Sequence, residues 1–138
     1  MKILVAEDDP DIARLYELAL ESRKHDVIIT VDGEKCLEVY REVLKLTDPA
    51  KNDSPFDVVV LDYRMPKKDG MEVAEEILVL SPQQRIIFAS AYVKDTLADA
   101  IKQFNHEVEL IPKPFKINVL IDTIENKTIY EALENHHP

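Results

Sequence analysis

Apolar runs of strand length alternate with stretches of helical periodicity along this chain. That alternation predicts an α/β fold in which a five-stranded parallel sheet carries helices on both faces. Two further observations support it. The runs near residues 2–6, 57–61, 85–89 and 107–112 are nearly all apolar and lack polar alternation, as strands covered on both faces should. Each is also followed by a chemically capable side chain: Glu7 and Asp8 after Ile3-Leu4-Val5-Ala6, Asp62 after Val58-Val59-Val60-Leu61, Ser90 after Ile86-Ile87-Phe88-Ala89, and Lys113 after Val108 to Pro112. In parallel strands of one sheet these groups share the edge where open α/β sheets bind ligands.

The elements follow in order. After the strand at 2–6, Asp9-Pro10 supplies an N-cap carboxylate and a proline whose missing N–H costs nothing in the first helical turn. Ile12, Leu15, Tyr16 and Ala19 are expected to form the buried stripe of that helix. The run Asp26 to Val31 is less uniformly apolar and reads as an edge strand. Segment 33–46 places Leu37, Tyr40 and Leu44 on one helical face with Cys36 and Val43 beside it, so Cys36 is expected in the core. Residues 47–55, polar with two prolines, read as a surface loop entering the next strand at the end opposite the four groups. Further helices are expected at about 70–80, 94–104 and 116–125, five in all. Pro112 removes a backbone donor from the last strand, which fits a sheet edge.

At 138 residues and 46% hydrophobic content the chain predicts one domain, over residues 1–125, with 126–138 as a tail or an extension of the last helix. A net charge of −10 argues against direct nucleic-acid binding, which needs clustered Lys and Arg. The single cysteine excludes an intramolecular disulfide, the start at Met1-Lys2 is not a signal-peptide pattern, and no apolar stretch approaches the roughly 20 residues that cross a bilayer. A cytoplasmic chain with no membrane association is the expectation.

Three carboxylates gathered at Glu7, Asp8 and Asp62 oppose one another's ionisation unless a cation compensates. A hard divalent ion fits, Mg²⁺ with Mn²⁺ as the alternative, because such ions take oxygen ligands and commonly combine one or two carboxylates with a phosphate. An ammonium at Lys113 and a hydroxyl at Ser90 would hold phosphoryl oxygens. Asp62 is the candidate nucleophile, since carboxylates accept phosphoryl groups as acyl phosphates. Taken alone, an acidic cluster is a solvated surface or a capping device, and Asp62 alone would merely start a turn.

The motifs Leu4-Val5-Ala6-Glu7-Asp8, Leu61-Asp62-Tyr63-Arg64-Met65-Pro66 with Asp69-Gly70, Ser90-Ala91 and Lys113-Pro114-Phe115, in that order, resemble a response-regulator receiver domain over about residues 1–125. The resemblance implies a flavodoxin-like fold with strand order 2-1-3-4-5. It implies that Asp62 accepts phosphate from a sensor histidine kinase or histidine phosphotransfer protein. Glu7, Asp8, Asp62 and the backbone carbonyl of Arg64 would ligate Mg²⁺, and Ser90 and Lys113 would contact the phosphoryl group. Ala91 would leave room for the donor, the Lys113-Pro114 bond would be cis, and a surface over 92–125 would signal to a downstream protein target. The chain would catalyse only its own phosphorylation and dephosphorylation, as a monomer or a phosphorylation-dependent dimer.

Three positions depart from the family pattern or bear on its chemistry. Leu110 stands where receivers often carry an aromatic switch, so coupling would rest on Ser90, its loop and Tyr92. Arg64 and Tyr92 flank the route of attacking water, and their bulk is expected to prolong the phosphorylated state. Arg64 also fills the place where a haloacid-dehalogenase-type phosphatase needs a second Asp. That weakens the enzyme reading. A receiver-like scaffold that binds partners without phosphorylation would lack an acid or the lysine, and a flavin carrier would need more than two glycines.

Overall fold

The chain is described by a computed structural model covering residues 1–48, 54–90, 108–113 and 115–125. Strands β1 (Lys2–Ala6), β2 (Asp26–Thr30), β3 (Val58–Leu61), β4 (Ile86–Ser90) and β5 (Val108–Pro112) form one parallel sheet in the order β2-β1-β3-β4-β5. The chain steps outward from β1 to β2 and then crosses back to β3, which makes the gap between β1 and β3 the point where strand order reverses. Open sheets place their ligands outside the strand ends at such a point.

The uniformly apolar strands are explained by two cores. Leu4, Ala6, Val59, Leu61, Ile86 and Phe88 point to the face covered by α2 (Gly33–Lys45) and α3 (Gly70–Leu80), where they meet Leu37, Tyr40, Val73 and Ile77. Ile3, Val5, Val58, Val60, Ile87 and Ala89 point to the face covered by α1 (Pro10–Ser22) and a closing helix at 117–125, against Tyr16, Leu20, Leu120 and Ile124. Alternate residues thus serve opposite layers, and no position on β3 is left for a polar side chain. β2 is an outer strand, as its sequence predicts. β5 is the other, which fits Pro112, but the expectation that residues 107–112 are covered on both faces is corrected, since only Ile111 of β5 is buried.

Asp9, Asp32 and Asp69 cap α1, α2 and α3, each accepting from backbone N–H of the first turn, and each such cap contributes about 1 kcal/mol. The expected stripe of α1 is corrected. Leu15 is 51% exposed, and the face turned inward is Ala13, Tyr16 and Leu20, with Ile12 at its margin. Apolar residues occur around most of this helix, so the wheel alone left its rotation open. The helix ends with Lys24 at φ 65°, its N–H donating to Glu21 and the N–H of His25 to Leu20, a Schellman closure without the usual glycine.

At the sheet end away from the strand C-termini, the Tyr40 hydroxyl donates to the buried Gln84 side chain, whose amide donates to the carbonyl oxygens of Phe56 and Arg85. Arg85, itself buried, pairs with Glu109 at 2.8 Å and donates to the carbonyl oxygens of Thr123 and Ile124. That side chain ties β4, β5 and the closing helix together. The helix expected at 94–104, residues 49–53 of the 47–55 loop and the tail 126–138 lie outside the described residues.

Candidate functional site

The C-terminal ends of β1, β3, β4 and β5 bring the predicted groups to one edge. Glu7 follows β1 directly, and its N–H donates to the Thr30 carbonyl at the end of β2. The Asp62 N–H donates to the Ala6 carbonyl, which carries the β1–β3 ladder to the site itself. Across β4 the Lys113 N–H donates to the Ser90 carbonyl at 2.7 Å. The strands therefore determine where these side chains start, and the loops decide only what comes next.

Glu7, Asp8 and Asp62 each present a carboxylate oxygen within 4.8 Å of the others. Asp8 is exposed, Asp62 is partly covered, and Glu7 is buried at 2% exposure. The Lys113 ammonium lies 3.0 Å from Glu7 Oε1 and 3.6 Å from Asp62 Oδ2, reaching across from β5. Among the described residues, Glu7 Oε2 is a buried side-chain oxygen without a hydrogen-bond partner. A buried acceptor left without a donor is costly, and a divalent cation would satisfy it while neutralising the cluster. The donor set, three hard oxygens with one exposed side, fits such an ion.

Burial pushes the Glu7 carboxyl up to about 8, the adjacent Asp62 carboxylate adds to the rise, and Lys113 pulls the other way. The Tyr16 phenol is also raised, first by burial and then by the charges of Glu7 and Asp62. Tyr16 stacks on Phe115 with ring centroids 6.3 Å apart, joining α1 to the segment that follows Lys113. Its proximity to the acids was not readable from a helical stripe.

Of the remaining predicted residues, Ser90 closes β4 and is almost fully buried. Arg64 is exposed on the loop after Asp62, and Leu110 is partly buried against the core on the α2 and α3 side. Ala91, Tyr92 and the Lys113-Pro114 bond lie outside the described residues. Sequence reasoning passed over Thr30, whose hydroxyl donates to the Val5 carbonyl while its own carbonyl holds Glu7 in place. It also gave no structural weight to the two glycines. A Cβ at Gly70 would overlap the Asp62 carbonyl oxygen and crowd the Tyr63 Cα at 3.0 Å, so only glycine lets α3 begin this close to Asp62. The signal was their rarity, two in 138 residues.

A family model described as the response regulator receiver domain matches residues 3–125. The response regulator receiver protein CpdR of Brucella abortus is 28% identical over 131 residues, covering 93% of this chain and 97% of CpdR. Other curated relatives are longer: the chain spans 50% of the response regulator ArlR of Staphylococcus saprophyticus, at 31% identity over 89% of this chain. Among solved structures, a CheY-like receiver domain protein from Methanospirillum hungatei superposes with a TM-score of 0.78 at 20% identity, over 96% of this chain and 97% of that one.

Proposed function

From the premise that the chain belongs to the response regulator receiver family, the phosphoaccepting modules of two-component signalling, we propose that Asp62 is its phosphoacceptor. The observation that carries the reading is the buried Glu7 carboxylate, with one oxygen paired to Lys113 and the other unpartnered, beside Asp62 at the point of strand-order reversal. Glu7, Asp8 and Asp62 would hold Mg²⁺, with the backbone carbonyl of Arg64 as a further ligand. The ion when bound would neutralise the carboxylates and the incoming phosphoryl oxygens. The response regulator protein TrrA of Thermotoga maritima, solved in complex with Mg²⁺ and BeF, superposes with a TM-score of 0.69 at 25% identity, over 91% of this chain and 96% of that one, which supports the assignment.

In the proposed reaction a carboxylate oxygen of Asp62 attacks phosphorus, an O–P bond forms, and the N–P bond of a phosphohistidine breaks. The released histidine nitrogen takes up a proton. Lys113 would turn from the Glu7 and Asp62 carboxylates toward a phosphoryl oxygen, and Ser90 would donate to another. The partners are a sensor histidine kinase or histidine phosphotransfer protein upstream and a downstream protein target. We place the functional unit at residues 1–125. Signalling is by protein contact, and the chain turns over no substrate beyond its own acyl phosphate.

Acetyl phosphate with Mg²⁺, followed by intact mass, tests the assignment. Wild type is expected to gain one phosphoryl group and Asp62→Asn none. Modification of the Asn variant to the same extent would remove Asp62 from the role. Steady turnover of phosphate esters would restore the enzyme reading.

A further inference from the structure

The loop running from Asp62 to α3 contains a strained turn. Lys67 has φ 71°, and the Lys68 N–H donates to the Pro66 carbonyl at 2.8 Å. A three-residue bond of this kind closes a γ-turn, whose positive-φ form is rare and unfavourable for a side chain such as lysine. Strained backbone of this sort persists where its surroundings over-determine it.

What bears on this turn is the start of α2. Gly33 has no positive φ, so backbone freedom does not account for glycine there. Close approach does. A Cβ on Gly33 would overlap the Lys68 carbonyl oxygen, with the Lys68 carbonyl carbon at 2.9 Å and Val73 Cγ2 at 2.8 Å. Beside it, Asp32 caps α2 through the Lys35 N–H at 2.7 Å while its other carboxylate oxygen faces the Lys67 ammonium at 3.6 Å. At the far end of the loop the Gly70 N–H donates to the Tyr63 carbonyl at 2.7 Å. Residues 62–70 are therefore held at one end by Gly70 and at the turn by Gly33.

We propose that Gly33 is a positioning residue for the metal and phosphoryl site: by letting α2 seat directly on the Lys68 carbonyl, it fixes the path of the loop that carries Asp62 and Arg64. The proposal rests on the reading of Asp62 and Arg64 given above. A methyl group at residue 33 must push on main chain, which cannot rotate aside as a side-chain tip can. The loop, as the strained partner, is the part that moves.

Calorimetric titration of Mg²⁺ into wild type, Gly33→Ala and Val73→Ala, with amide NMR spectra recorded without metal, tests this. Gly33→Ala is expected to bind Mg²⁺ about tenfold more weakly, the scale of lost outer support at a metal site, with its largest amide shifts at 62–70. Val73→Ala loses core packing without pressing on the loop, and is expected to lower thermal stability while leaving Mg²⁺ affinity at the wild-type value. Gly33→Ala that loses stability alone, with wild-type Mg²⁺ affinity, overturns the proposal. If Gly33→Ala does not fold, the double variant with Val73→Ala takes its place, and failure of both to fold makes the role purely structural. Wild type that binds no Mg²⁺ instead removes the underlying site assignment, a result distinct from an unaffected Gly33 variant.

Discussion

Glu7 is a carboxyl held in a place that disfavours its charge, and the pH dependence follows from that. Its pKa rises from 4.5 to about 8 on folding, so its contribution to stability is fully present below 4.5 and is lost as pH rises through about 8. Thermal unfolding of the metal-free protein should show this as a fall in Tm between those limits. In Glu7→Gln, which keeps the shape and removes the titration, the fall should be absent. An unchanged profile in the variant would place the titration elsewhere. At this scale the sequence was informative wherever a residue's chemistry contradicted its surroundings: acids, a hydroxyl and an ammonium after apolar runs have few bland explanations together. It was silent where the information is an absent side chain, as at Gly33 and Gly70, because close approach depends on a neighbour distant in the chain.

Helix α1 shows what periodicity can and cannot convey at the scale of an element. Its start was legible because Asp9 and Pro10 act locally, and both occupy the expected capping positions. Its rotation was not, because Leu15 and Leu18 are as apolar as the residues turned inward, yet both are about half exposed. The C-terminal turn offers a direct test. Lys24 bears a side chain in left-handed backbone, so Lys24→Gly should raise stability by about 0.5–1 kcal/mol in thermal or denaturant unfolding. Arg85 acts on three elements at once. Arg85→Met leaves Glu109 and two helix-terminal carbonyl groups without their donor, and should cost about 3 kcal/mol in denaturant unfolding. Loss below about 1 kcal/mol would mean that water replaces those bonds without penalty.

Over the whole molecule, the alternation of strands and helices and the layer structure were legible because each buried strand is bounded by polar or turn-forming residues. The strand order came from the family resemblance, since local pattern does not say which strands lie side by side. No helix among the described residues is long and apolar enough to cross a membrane. Binding of Mg²⁺ to the native state alone should stabilise the whole domain, by about 2.7 kcal/mol at a hundredfold excess over Kd, and a chelator should reverse the gain. A Tm insensitive to Mg²⁺ at every concentration tested would contradict the proposed metal site. The sheet's two outer strands have a further consequence, for self-association. β5 ends in Pro112, which offers no N–H, and carries the charged Glu109. β2 presents Val27-Ile28-Ile29 with no proline, and among the described residues no strand pairs with its outer side. Val27, Ile28 and Ile29 turn their side chains to the two covered layers, so the outer rim of β2 is bare main chain. Concentrated or partly unfolded protein is therefore expected to associate edge to edge through β2, and a proline in place of a residue whose N–H faces outward is the change that would remove a donor from that rim.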